Sequence, residues 1–316
     1  MEMDQFKWGV IGSMEKAQAF AADLPYAIAE HMVVAILTDE PQPASSDPAM
    51  PKVYTDLQAF LSSDIDAVYI ISAYSQHYAY AKQCLLAHKP VLCERPIATD
   101  AEELEHLIRL SQNNHTFMME AMWIRFLPSV KKVLGVISSG AIGDIISIKA
   151  SVNPKNTISN NVASGSGGAL FELGTYPVFL CVLFLGRPDY VQGVGNNTIG
   201  GANQFFSAFL SYEEGQYGFI EASTINKGNS YAVIEGDKGV IKIKNPWSAK
   251  PEGIEVDFFD GTKVLHKGEW EGSGFQFEAD EVYKCLQNGS IESQLYPHQF
   301  SLDVMKTLDD IRQKLK

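Results

Sequence analysis

The sequence predicts an α/β protein in two parts. The first is an N-terminal, Rossmann-type, doubly wound parallel sheet; the second is a C-terminal α+β domain on a large, mainly antiparallel open-faced sheet. Three observations predict this. Strand-like and helix-like runs alternate as far as residue 121, which implies right-handed crossovers and a parallel sheet with helices on both faces. Beyond residue 143, short apolar runs follow one another, joined by Glu213-Glu214-Gly215, Asp237-Lys238-Gly239 and Asp260-Gly261, which are hairpin signals. The first apolar run, WGVI at 8–11, turns through Gly12 into a helical stretch, as a dinucleotide-binding domain begins.

Taken in order, EKAQAFAADL suits a helix, with Ala17, Phe20, Ala21 and Leu24 on one face. MVVAILT at 32–38 is too apolar to be half-exposed and reads as a buried strand. DEPQPASSDPAMP at 39–51 is broken by proline and predicts a surface loop. DAVYIIS (66–72) and KPVLCE (89–94) are strands, separated by a helix over about 76–87. Thr99 and Glu102 have capping-box spacing and open a helix to about Asn113. TFMMEA closes the series, so Met118, Met119 and Met122 read as core. The second part carries helices over 128–138, 169–185, 275–287 and 299–315 around eight strand-like runs from DIISIKASV to KVLHKG. The expected domains are 1–121 and 122–316.

Composition narrows the function. The chain has 316 residues, 46% hydrophobic and 20% charged, ordinary values for a globular protein with room for two cores. Its formal charge of −13 argues against nucleic acid and against an anionic membrane surface, since both require cationic faces. The longest apolar run, Val178–Leu185, is far short of the ~20 residues that span a bilayer. Cys84, Cys93, Cys181 and Cys285 form no C-x-x-C pair, which predicts buried free thiols in a reducing compartment. With an acidic MEMDQFKW start and no signal-like stretch, the expected location is the cytoplasm. No His/Cys/carboxylate spacing suggests a metal site.

Five segments carry a resemblance. VLCERPIATDAEEL (91–104), EAMWIRFLPSV (120–130), GGALFELGTYPVFLCVLFLG (167–186), IEGDKGVIKI (234–243) and the closing stretch from FEADEVYKCLQNGSIES (277–293) onwards strongly resemble, in order, the motifs of the Gfo/Idh/MocA oxidoreductases. The resemblance is closest to the branch with dihydrodiol and sugar dehydrogenases, which carries Tyr after D-x-G-x. It implies a nicotinamide dinucleotide, a sugar, polyol or diol substrate, and a homodimer paired through the C-terminal sheet. It also implies cofactor contacts from Gly9, Gly12, Ser13, Met14, Asp39, Ser72, His77, Glu94, Arg95 and Arg125, and catalytic roles for Arg95, Tyr176 and Glu172.

The chain departs from the family pattern at specific positions. Where the family loop is close to GxxGxGxIA, this chain has Gly9, Gly12, Met14, Lys16 and Ala17. Met14 replaces the glycine that lets backbone approach a pyrophosphate, and Glu15 adds negative charge beside it. If the loop needs a positive φ at Met14, strain of roughly 1–2 kcal/mol follows; a slight bulge would instead admit the cofactor. Asp39 ends the second strand, where a carboxylate accepts from a ribose 2′-hydroxyl and repels a 2′-phosphate, so NAD is expected over NADP. As a residue on its own, Asp39 reads equally as a solvated loop acid.

Arg95 stands where the family has its catalytic Lys. Arginine keeps its proton, so it holds a hydroxyl or alkoxide but cannot serve as general acid. The resemblance then makes Tyr176 the proton carrier, with Glu172 orienting substrate. His77 matches a family histidine near the nicotinamide; on its own it reads as a surface residue at a helix start. Two readings stay open, a working NAD-dependent oxidoreductase and a degenerate member that binds nucleotide or sugar without turnover.

Overall fold

Six strands form the first sheet: β1 (Phe6–Gly12), β2 (His31–Leu37), β3 (Lys52–Tyr54), β4 (Ala67–Ile71), β5 (Val91–Glu94) and β6 (Met118–Ala121). All pairs are parallel, in the order β3-β2-β1-β4-β5-β6. The computed structural model describes residues 5–40, 50–153, 167–197, 203–226, 228 and 230–315. Residues 41–49 of the expected proline-rich loop lie outside these. The crossover helices are α1 (Met14–Asp23), α2 (Leu57–Leu61), α3 (His77–Leu86) and α4 (Ala101–Asn114). β4 is buried along its whole length, as a strand covered on both faces must be.

Two local expectations are corrected. The capping box of α4 sits one residue later than predicted. Asp100 is the N-cap and accepts from the Glu103 amide at 2.9 Å, while Glu103 reaches back to the Thr99 amide at 2.9 Å and its hydroxyl at 2.7 Å. Asp100 wins because a carboxylate caps at least as well as threonine, and its choice hands the returning role to Glu103. β3 and α2 were not foreseen, since three- and five-residue elements carry too few positions to show a period.

The second sheet has eight strands: β7 (Ile145–Val152), β8 (Tyr190–Asn197), β9 (Asn203–Ser211), β10 (Tyr217–Ser223), β11 (Tyr231–Gly236), β12 (Gly239–Ile243), β13 (Ile254–Phe258) and β14 (Lys263–His266). They run in the order β14-β13-β12-β11-β7-β10-β9-β8, antiparallel except for the β7–β10 pair. One face is covered by α6 (Thr175–Leu185), which is apolar all round and packs on β7 and β10. Gly218 of β10 permits that approach, since a Cβ there would lie 2.9 Å from Cys181 Sγ. The other face is open. Phe209 and Phe219 are cross-strand partners on it, each about two-fifths exposed at 40% and 39%, and Phe209 stacks on Tyr217 with centroids 5.6 Å apart.

The chain forms two compact units. Residues up to Trp123 join Glu271–His298 in one; Ile124–Trp270 and the chain from Gln299 on make the other, which includes α5 (Pro128–Ser138). The expected division at 121/122 therefore differs in the segment 271–298, which contains α7 (Phe275–Gln287). Two carboxylates hold α7 in the first unit. Buried Asp23 accepts the Ser273, Gly274 and Phe275 amides at 2.8–3.0 Å, capping α7 from another element. Asp280 accepts the Ile28 and Ala29 amides and sits 3.4 Å from His31 Nε2. Phe275 also stacks on Trp123, with centroids 5.8 Å apart. All four cysteines are free and buried.

Candidate active site

The strand order of the first sheet reverses between β1 and β4, the point where doubly wound sheets open a crevice beyond their carboxyl ends. A cavity of about 440 Å³ lies there, with Gly12, Ser13, Lys16, Asp39, Ser72 and Tyr80 in its wall. Gly12 lets the chain turn tightly against β4: a Cβ would lie 2.8 Å from Ile71 Cγ1 and 2.9 Å from the Ile71 oxygen. Ser13 is the N-cap of α1, its hydroxyl accepting from the Lys16 amide at 3.3 Å. The α1 N-terminus, with its outward amides and positive dipole end, is thus part of the cavity.

Met14 is the first helical residue of α1, and positive φ among the described non-glycine residues occurs only at His88 and His115. The strain expected at Met14 is therefore absent, and its side chain is not part of the cavity wall. Its amide donates to Glu40 Oε2 at 3.0 Å. Gly9 lies away from the cavity, inside β1, where a Cβ would meet Phe60 and Ile65 at 2.7 and 2.8 Å; its smallness serves the packing of α2. Asp39 is exposed on the cavity wall, and together with burial its charge raises the Tyr80 phenol above its ordinary value.

His77 is buried, contrary to its reading as a surface residue. Nδ1 lies 2.9 Å from the Pro96 oxygen and Nε2 3.2 Å from the Ser72 oxygen. The ring thus ties the cavity-lining Ser72 turn to the segment after Arg95. Burial lowers its pKa, against the opposing pull of the Pro96 carbonyl, the Glu94 charge and the Ser72 carbonyl. Glu94 and Arg95 are half-buried at the end of β5, and the Arg95–Pro96 bond is cis. Glu94 Oε1 accepts the Tyr69 hydroxyl at 3.0 Å. Behind that pair lies Glu278 of α7, fully buried; the nearby Tyr69 hydroxyl donates to Glu94, and among the described residues neither Glu278 oxygen has a donor at full hydrogen-bond geometry. Burial, then the charge of Glu94, pushes the Glu278 carboxyl well above its ordinary value.

In the second unit, Glu172 and Tyr176 stand four residues apart on one element. From Ala169 to Val182 every other residue is buried, and these two alone are half-exposed. The helix enters through one π-helical turn, Leu170–Gly174, because Pro177 has no amide to donate to the Leu173 oxygen. Thr175 Oγ1 donates to the Phe171 oxygen at 2.7 Å and fixes that turn. The stretch therefore offers a carboxylate and a phenol side by side. Arg125 is half-buried in the same unit, just before α5.

Residues 6–121 match the oxidoreductase family with the NAD-binding Rossmann fold, and residues 130–242 match the C-terminal domain of the same family. The chain belongs to the Gfo/Idh/MocA oxidoreductases. Human trans-1,2-dihydrobenzene-1,2-diol dehydrogenase is 28% identical over 98% of this chain and 96% of its own. A 3-ketoreductase from Actinomadura kijaniata, solved with NADP and TDP-benzene, shares the fold with a TM-score of 0.86 at 21% identity, covering 99% and 98% of the two chains. Levoglucosan dehydrogenase, solved with NADH and levoglucosan, shares it with a TM-score of 0.83 at 20% identity, covering 98% and 97%.

For a Gfo/Idh/MocA chain the cavity at the β1–β4 switch point fits the family's dinucleotide. The α1 amide end already holds an anionic oxygen, that of Glu40, and the Gly12 turn leaves the approach clear of side chain. Lys16, Glu40, Gln76 and Tyr80 also line the cavity, though no motif of the sequence marks them as site residues. Gln76 and Tyr80 are one helical turn apart at the start of α3, a spacing that the sequence displays. Glu40 adjoins Asp39, and sequence alone does not rank two neighbouring acids.

Proposed function

We propose that this oxidoreductase uses NAD and acts at a carbinol carbon of a sugar, polyol or related diol. The observation that carries the reading is the half-exposed Glu172–Tyr176 pair on an otherwise buried helix. A phenol kept accessible there, beside a carboxylate, suits a proton donor and acceptor for a substrate hydroxyl. NAD when bound supplies the hydride acceptor. Tyr176 then exchanges the hydroxyl proton, taking it as phenolate in oxidation and returning it as phenol in reduction, and Glu172 orients the substrate; Arg95 keeps the role that the family resemblance proposes for it, a permanent charge for a hydroxyl or alkoxide. The catalytic substrates named for the relatives, a dihydrodiol and levoglucosan, support the substrate class.

NAD rather than NADP is favoured because Asp39 lines the cavity at the end of β2, where its carboxylate would repel a 2′-phosphate. Ser72 remains a proposed wall contact for the cofactor, and Glu94 and Arg125 are proposed to face it. The open face of the second sheet, with Phe205, Phe209 and Phe219 partly exposed, supports pairing with a second copy. The four buried free thiols support a cytoplasmic location.

The test is a titration of NADH fluorescence, followed by oxidation of a panel of sugars, polyols and diols with NAD. Turnover of a member of the panel is expected; binding of NADH or of a sugar without any turnover favours the second reading, a degenerate member that binds nucleotide or sugar. No binding of NADH, NADPH or any member of the panel overturns both.

A further inference from the structure

The phosphate end of the cavity carries two opposite charges that the family loop pattern does not provide. Lys16, third residue of α1, stands where that pattern has an apolar side chain. Its Nζ crosses to the end of β4 and donates to the Ile71 oxygen at 3.2 Å. An ammonium carries three donors, and among the described residues Lys16 makes no ion pair within 4 Å, so it lines the cavity as a cation not locked to a carboxylate. Glu40 enters from the end of β2, and its Oε2 accepts the Met14 amide at 3.0 Å. That amide is the first outward donor of α1, where a dinucleotide's diphosphate would be received. The carboxylate is held by the same charge-assisted bond and the same dipole that would hold a phosphate oxygen.

We propose that Glu40 is a tethered competitor for the diphosphate cradle, and that Lys16 is the cation that receives the diphosphate when Glu40 swings out. Together the two side chains set the dinucleotide affinity of this chain. The inference rests on the NAD reading above. Glu40 is exposed, so its departure disturbs no packing. Leaving, it removes a negative charge from the cradle, and Lys16 replaces one neutral acceptor with an anionic one.

The test measures dissociation constants by titration calorimetry for NADH and for ADP-ribose, which lacks nicotinamide and reports binding apart from hydride chemistry. The proteins are wild type, Glu40→Gln, Lys16→Met and Asp39→Asn. Glu40→Gln is expected to tighten both ligands by about tenfold, equivalent to ~1.4 kcal/mol, because a neutral amide competes less well than a carboxylate. Lys16→Met is expected to loosen both by about tenfold. Asp39→Asn should loosen NADH, the opposite sign to Glu40→Gln. Unchanged or weaker binding by Glu40→Gln overturns the competitor role, and unchanged binding by Lys16→Met overturns the cation role, in each case with NADH binding to wild type intact. Failure of both ligands to bind wild type and Glu40→Gln overturns the cofactor reading and this inference together.

Discussion

Replacing Glu278 with glutamine isolates the cost of burying a carboxyl beside Glu94. The exchange keeps shape and removes titration. Wild-type Glu278 is fully buried beside a Tyr69 hydroxyl that donates to Glu94, and burial followed by the Glu94 charge raises its pKa well above the ordinary 4.5. A raised acid holds its proton in the fold while the unfolded chain releases it. Its contribution is therefore intact below pH 4.5 and is lost as pH rises, until the folded value is passed. Over that window wild type should lose about 1.4 kcal/mol per pH unit relative to the variant. For a unit of about 150 residues this is ~3–6 °C of melting temperature per pH unit. Melting of both proteins from pH 5 to 8 measures it. The difference should be smallest at pH 5 and widen with pH, Glu278→Gln becoming increasingly the more stable. A difference that stays constant with pH would refute the reasoning, because the carboxyl would then be ionised in the fold.

Three further outcomes are expected. Tyr176→Phe should lower turnover by about 10²–10⁴-fold with NADH affinity unchanged, measured by steady-state kinetics beside fluorescence titration; undiminished turnover would remove Tyr176 as proton carrier. Asp39→Asn should narrow the preference for NADH over NADPH, read as the ratio of their dissociation constants, and an unchanged ratio would make Asp39 a solvated loop acid. Asp23→Ala, which orphans the Ser273, Gly274 and Phe275 amides, should destabilise the first unit by about 2–4 kcal/mol in urea denaturation, whereas a loss below ~1 kcal/mol would mean that water caps α7 equally well.

Much of the architecture was legible because it is written in periods. Buried parallel strands such as AVYII in β4, and the alternation of β9, announce themselves within a few residues. The Glu172–Tyr176 pair was legible through its motif. What was not legible depends on distance or on ties between equals. The role of Asp23 could not be read, since its partners lie 250 residues away. Thr99 against Asp100, and Asp39 against Glu40, are choices between adjacent groups of similar chemistry that only the backbone decides. Met14 misled for another reason: it is the first residue of α1 and so needs no positive φ.

The dispersed composition of the first unit bears on how the chain is made. Its helix α7 emerges from the ribosome only after Ile124–Trp270 has been synthesised, a delay of roughly 7–30 s at typical elongation rates. Until then Phe6, Phe20, His31 and Trp123 wait for Phe275 and Tyr283, the aromatic neighbours that later cover them. The nascent chain therefore presents a transient aromatic patch beside a sheet whose strands are already made, the kind of surface that invites chaperone capture or aggregation before completion.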